Sequence, residues 1–481
     1  MSKTTSSTAD VKQQLNKIKK LITANNPDSF ALALDLARTL EMDNEATWLG
    51  LLAKSRIVQL GKLNNNRVTN LLLEIAGRGK SINKLVLENL PAGRQYRSLY
   101  LQGLTTLSDA AAQALAKHEG DLYIDGLKNL SDAAAQALAQ HKGDLSLDGL
   151  TSLSDAAAQA LAQHKGDLYL PSLTTLSDVA AQALARHKRE LCLSGLTGLG
   201  DSPGHIALAE KLAQHKGELD LRGLTSLSDA AAQALGKHKG DLWLQGLTNL
   251  SEAAAQALAR HKGELRLDDL TSLSDSPGHV ALAEKLAQNN GNLSLSGLTS
   301  LSDTAAQALA QHQGWLFLSG LESLSVGAAQ ALAQHEGDLR LDGLTSLSEA
   351  AAQALAQHKG FLSLNGLKSL SDAAAQALAQ HKGEGLCLDG LKSLSVGAAQ
   401  ALAQHKGYLH LNGLTSLSDG AAQALAQHEG RILGLDGLTS LSDAAAQALS
   451  QHKGYVLNLD GLTSLSDSPG HVALAEKLGR K

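Results

Sequence analysis

Aromatic residues make up only 2% of the 481 residues, so the core cannot rest on large rings and must be built from aliphatic side chains. The two cysteines, Cys192 and Cys387, are too few and too far apart for a disulfide framework or a thiolate metal cluster. No basic excess is present: the formal net charge is −5, which leaves no electrostatic footprint for nucleic acid. No apolar run is long enough to span a bilayer. The first residues, MSKTTSSTADVKQQLNKIKK, have no apolar h-region, so a cytoplasmic protein is expected, with secretion by a route lacking a cleaved signal left open. Neither a Ser/His/Asp nor a Cys/His set, a phosphate loop or metal-ligand spacing occurs. An enzyme is therefore not expected, and neither is a cofactor.

What the chain does have is repetition. A leucine opening a GLT-type turn recurs at 104, 127, 150, 173, 196, 224, 247, 270, 298, 321, 344, 367, 391, 414, 438 and 462, which makes sixteen copies. Most steps are 23 residues; two are 28 (196 to 224, 270 to 298) and three are 24 (367 to 391, 414 to 438, 438 to 462). A fixed period of this size means a stacked array. The array is read over 83–481. Before it, helical spacing of Val11, Leu15, Ile18 and Ile22, an Asn26-Pro27 helix start, and Trp48, Leu51 and Leu52 predict a small all-α domain over 1–82, a cap for the first repeat or a docking module.

One copy, LYIDGLKNLSDAAAQALAQHKGD from Leu122 to Asp144, has two halves. In the first, Leu122 and Ile124 point one way and Tyr123 the other, as in a short strand. Gly126 ends the strand, and Leu127 and Leu130 turn inward. In the first copy Ser108 to His118 reads as a helix, with Ser108 as N-cap and Asp109 at the positive end. Its Ala111, Ala112 and Leu115 share one face, and Gln113 and Lys117 the other. Gly120 is expected to end it in the left-handed conformation. Strand then helix, repeated with right-handed crossovers, predicts one continuous parallel sheet with helices on one side only.

These residues resemble the leucine-rich-repeat family, in a bacterial-type, alanine-rich form with repeats of about 23 residues. The matching core is Leu122, Ile124, Leu127 and Leu130, and the resemblance covers about 395 residues. It implies an α/β, right-handed leucine-rich-repeat solenoid with a curved parallel sheet on the concave side and short helices on the convex side. It also implies protein recognition through the concave sheet. One departure is visible: the family places an Asn in the turn after the strand, where this chain has Gly126-Leu127.

Fourteen of the eighteen histidines occupy one slot, from His118 to His452, and thirteen of these stand two residues before the terminal glycine. They read as helix-end residues meeting orphan carbonyls. Neighbouring copies are expected to be too far apart on the helical side to share a metal at ~2.0–2.1 Å bonds. Three copies carry Ser-Pro-Gly-His (202–205, 276–279, 468–471), which starts a longer helix.

Variation concentrates on the outward side of the strand. Eight of the ten aromatics beyond residue 90 lie in its two outward slots, with nine acids and two arginines. The candidate partner-binding residues are Tyr123, Asp144, Asp167, Tyr169, Glu190, Glu218, Asp241, Trp243, Arg266, Trp315, Phe317, Arg340, Phe361 and Tyr408. Asp121, Asp144, Asp167, Glu190, Glu218, Asp241 and Glu264 are expected to form one row. The expected function is a protein- or peptide-binding scaffold whose partner is basic where it meets repeats 1–8 and more apolar at repeats 9–13. The alternative is a structural or surface-interaction repeat protein without a specific ligand. The last strand, near Leu457 to Asp460, has no obvious cap, and weak self-association at that edge is expected.

Overall fold

The computed structural model describes residues 98–479, except 102 and 119, together with Lys17 and Lys20. The helical domain expected over 1–82 lies outside these residues. The described repeats each run strand, turn and helix, and they divide between two compact units.

The strand half forms because alternate residues have opposite destinations. Leu122 and Ile124 are fully buried while Tyr123 between them is half-exposed. Burying each such leucine stabilises by roughly 1.5–3 kcal/mol. Successive strands pair in parallel with leucine opposite leucine, as in Leu122 with Leu145 and Leu145 with Leu168. The helix half spans seven residues in most copies, such as Asp132–Leu138, with Ala134, Ala135 and Leu138 buried. Alanine here contributes helix propensity and lets neighbouring helices approach closely.

The predicted caps are present and do more than expected. The Ser131 hydroxyl accepts from the Ala134 N–H and donates to the carboxylate of Asp109, one repeat earlier. Ser154 does the same to Asp132, and Ser177 to Asp155. These helix starts are thus tied to their predecessors.

The helix ends differ from expectation. Among the described residues Gly291 is the glycine with positive φ, at 72°. It is the equivalent of Gly120 in the copy with Asn289, and there the expected left-handed ending occurs; Gly120 and the other described equivalents are not left-handed, and their helices close by tightening, as with the His141 N–H on the Leu138 carbonyl at 2.9 Å. Glycine is needed there for a different reason. A Cβ at Gly143 would lie 2.2 Å from the Gly120 carbonyl oxygen, because successive repeats touch backbone to backbone.

The first unit, whose described part runs from 98 to 196 and 202 to 211, holds a five-stranded parallel sheet from Ser98–Tyr100 to Leu191–Cys192. The second, 197–201 and 212–481, holds a three-stranded sheet (Leu219–Asp220, Leu242–Trp243, Leu265–Arg266) and an eight-stranded sheet from Leu293–Ser294 to Val456–Asn458. The expected single continuous sheet is therefore corrected. Within the second unit the break falls at the 28-residue step from 270 to 298. The five extra residues lengthen the helix, Pro277–Ala287, and pairing moves past the turn, to Ser272–Leu273 against Ser300–Leu301. Asn289 occupies the histidine slot of that copy. Its side-chain Oδ1 accepts from the Leu265 N–H at 3.2 Å and its Nδ2 donates to the Leu265 carbonyl at 2.6 Å. This amide occupies the bonds a further strand would make and closes the edge of the three-stranded sheet. The copies with a 24-residue step keep their pairing and have three-residue strands, as in Gly385–Cys387 and Ile432–Gly434.

The histidines are buried, not ranged along a spread-out surface. In the first unit His118, His141, His164 and His187 stack with ring centroids 6.0–6.3 Å apart. In the second, His312, His335, His358 and His381 stack at 6.0–6.2 Å. The slot lies under the helix ends, where the repeats are close, rather than on a spread-out outer surface. Two of them meet the expected carbonyls: His238 faces Gly217 O through Nε2 at 2.8 Å and Ala213 O through Nδ1 at 3.2 Å, and His312 Nδ1 faces Ala287 O at 3.2 Å.

Candidate functional site

The outer sheet positions carry the candidate residues, and the two units divide them. The expected single row of acids separates into Asp121, Asp144, Asp167 and Glu190 in the first unit and Glu218, Asp241 and Glu264 in the second.

In the first unit the aspartates have a structural partner. Asp121 Oδ1 accepts the Asp144 N–H at 3.1 Å, Asp144 Oδ1 the Asp167 N–H at 2.9 Å, and Asp167 Oδ1 the Glu190 N–H at 3.2 Å. Each carboxylate therefore holds the following repeat with one oxygen, and Asp121 also accepts the Ser98 hydroxyl on Oδ2 at 3.3 Å. Tyr123 stacks on Tyr100 with centroids 4.6 Å apart. Tyr169 is pushed up to about 12, first by burial and then by Glu190, Asp167 and Asp144, so it remains a neutral donor among acids.

On the three-stranded sheet Trp243 lies between two guanidiniums. Arg222 and Arg266 each approach its ring centroid to 5.3 Å. Arg222 is held by Asp220, with Nε 2.9 Å from Oδ1 and Nη2 2.9 Å from Oδ2. The Asp241 carboxylate accepts the Glu264 N–H at 2.9 Å.

The eight-stranded sheet gathers the remaining candidates. Trp315, 45% exposed, meets Phe317 at 6.2 Å, and Arg340 lies over both rings, 5.9 and 5.3 Å from their centroids. Phe361 leans across the next strand onto Gly385, where a Cβ would come within 2.8 Å of the ring. Its centroid is 6.5 Å from His410. Tyr408 is covered by Arg431, 5.3 Å from its centroid. Arg222, His410 and Gly385, which alternation places in outward slots but which were not among the candidates, join the site, together with Arg431. A signal for Arg431 and Gly385 existed: both belong to copies with a 24-residue step, where one residue is added before the strand.

A second ladder runs along the end of this sheet. Asp342 Oδ1 accepts the Asn365 N–H at 3.0 Å, Asn365 Oδ1 the Asp389 N–H at 2.9 Å, Asp389 Oδ1 the Asn412 N–H at 2.7 Å, and Asn412 Oδ1 the Asp436 N–H at 3.1 Å. It supplies the side-chain-to-backbone bonding that the family's turn asparagine would give, from the position before Gly343 and its equivalents. Many of the chain's outward acids are thus engaged in holding repeats together.

Cys387 is buried and pushed up to about 12, by burial first and then by Asp389, which leaves the thiol protonated and unreactive. Among the described residues no group of His, Cys, Asp and Glu is arranged to hold a metal ion, and no helix is long and apolar enough to cross a membrane.

No protein-family model matches the chain, and no curated protein matches it in sequence. Solved structures similar to it are repeat proteins. A leucine-rich-repeat protein of Leptospira interrogans is 18% identical, covering 72% of this chain and 93% of its own, with a TM-score of 0.36. An internalin of Listeria monocytogenes is 13% identical, covering 86% and 92%, with a TM-score of 0.25. Toll of Drosophila, in its complex with Spatzle, is 15% identical, covering 60% and 42%, with a TM-score of 0.35. At these scores the likenesses carry no argument about function.

Proposed function

We propose that this leucine-rich-repeat chain is a non-enzymatic scaffold that binds a protein or peptide through the outer faces of its sheets. One observation carries the reading: in repeats otherwise nearly identical, the exposed sheet positions collect the aromatics, and Trp243, Trp315, Phe317 and Tyr408 each lie under a guanidinium. Rigid aromatic surface among polar neighbours is what binding hot spots use. In the first unit the second oxygens of Asp144 and Asp167, beside Tyr123 and Tyr169, suit a basic segment, and such binding weakens with salt because exposed charges are screened over ~8–10 Å. A structural role without a ligand is the second reading, and the aspartate ladders favour it, since they account for the acids without a partner. Capture from extract with Trp315→Ala/Phe317→Ala against Gln136→Ala/Gln159→Ala separates the two. A partner lost with the first pair, at about 2 kcal/mol or more, and kept with the exposed helix-side pair supports the scaffold. A partner lost only with the helix-side pair moves the site there.

A further inference from the structure

The eight-stranded sheet carries a more specific arrangement than an apolar patch. Arg340 reaches back over Trp315 and Phe317 on the strand Leu316–Phe317. Arg431 reaches back over Tyr408 on the strand Tyr408–His410. Between these two strands lie three others in the sheet order, 339–340, 362–363 and 385–387. Four strand spacings at ~4.8 Å separate the guanidiniums by about 19 Å across the sheet. The floor between them is the Phe361 ring over Gly385, with His410 beside it.

The two guanidiniums are not neutralised by ion pairs. Among the described residues no carboxylate is paired with Arg340 or Arg431. The acids nearest in sequence to Arg340, Asp338 and Asp342, use Oδ1 on the N–H groups of Phe361 and Asn365. A guanidinium stacked on a ring keeps its N–H edge free, and that edge matches a carboxylate in two parallel bonds. The aromatic beneath holds the fork in place before the ligand arrives, so less side-chain entropy is lost on binding.

We infer that this face takes an extended acidic peptide, with two carboxylates about six residues apart and an apolar side chain between them. At ~3.3 Å per extended residue, six residues span about 20 Å, the separation of the two forks. The even spacing puts both carboxylates on one side of the peptide. The apolar residue meets Phe361 and His410. A nucleic-acid strand fits less well, because it carries a phosphate at every nucleotide, whereas the face offers two forks about 19 Å apart. The inference rests on the scaffold reading and specifies one of its partners as acidic.

The test uses the full chain and synthetic ten-residue peptides with Leu at position 5, Ser elsewhere, and Asp, Asn or Lys at positions 2 and 8. Binding is followed by fluorescence anisotropy of labelled peptides, with a ten-nucleotide thymidine strand as a further ligand. The Asp peptide is expected to bind roughly tenfold or more tightly than the Asn peptide, and the Lys peptide not to compete. Arg340→Gln and Arg431→Gln each remove about tenfold of the Asp peptide's affinity and leave the Asn peptide unchanged, while both variants melt like the parent chain. Equal binding of Asp and Asn peptides, or preference for Lys, overturns the inference but leaves the scaffold reading standing if Trp315→Ser/Phe361→Ser abolishes that binding. Preference for the thymidine strand overturns it in favour of nucleic acid. If no peptide binds, or binding ignores Trp315→Ser/Phe361→Ser, both the inference and the scaffold reading at this face fall.

Discussion

The buried and outer sides of the same repeats obey different constraints. In the eight-stranded sheet the inward positions are leucine in copy after copy, and the slot beneath the helix ends is His312, His335, His358, His381, His405, His428 and His452. The outer positions of the same strands read Ser294, Phe317, Arg340, Ser363, Cys387, His410, Gly434 and Asn458. Inside, each side chain must fit its own image one repeat away, so a change in one copy disturbs two contacts. Outside, a residue answers only to solvent, its near neighbours or a ligand. Uniformity marks the side that holds the stack together, and variation marks the side free to be specialised.

The largest effect separating the two sides is expected from acid. Burial, helped by neighbouring imidazoles, holds His164, His358 and His428 down to about 4 and His381 to about 3. An unfolded histidine titrates near 6.5. Between pH 6.5 and about 4 the unfolded chain therefore binds more protons than the folded one, and stability falls as pH falls. With several buried rings contributing, circular dichroism should show cooperative loss of helix on titration through this window. His358→Leu/His381→Leu should move the midpoint to lower pH, and an unchanged midpoint would remove the histidine column as the cause.

A smaller effect is expected at the backbone contact. In Gly360→Ala the new methyl would stand 2.2 Å from the Gly337 carbonyl oxygen, with nothing flexible to yield. A loss of about 2–3 kcal/mol is expected from such overpacking, measured by chemical denaturation. A change under about 0.5 kcal/mol, as for an ordinary surface site, would show that the repeats are not in backbone contact.

The smallest effect is expected on the outer side. Trp315→Ala should alter folding stability by no more than about 0.5 kcal/mol while weakening a ligand. A destabilisation as large as that of Gly360→Ala would make Trp315 part of the stack and dissolve the distinction between the two sides.

Much of the repeat was legible because its signals are local. Alternation around Tyr123, the caps at Ser108 and Ser131, and the spacing of Ala134, Ala135 and Leu138 depend on one copy alone. What escaped depends on two copies at once. The role of Gly143 is set by Gly120, and the closeness of the histidines by how adjacent helix ends pack. The break in the second unit's sheet was marked in the sequence by a long step and by Asn289 in a histidine slot, but the closing bonds to Leu265 emerge only in three dimensions. The candidate site was legible as a set of outward positions, because alternation fixes direction. Its pairings were not, since Arg340 and Arg431 reach back one repeat to cover rings, which no spacing along a single strand reveals.

That backward reach recurs in the side-chain ladders. Ser131 donates to Asp109, the Asp144 and Asn365 N–H groups donate to Asp121 and Asp342, and His238 contacts carbonyls of Ala213 and Gly217. In each pair the acceptor belongs to the earlier repeat. A chain synthesised from its N-terminus therefore offers every emerging repeat a set of acceptors already in place. A copy gained by duplication would inherit the same arrangement, carrying its own donors and leaving acceptors for whatever follows.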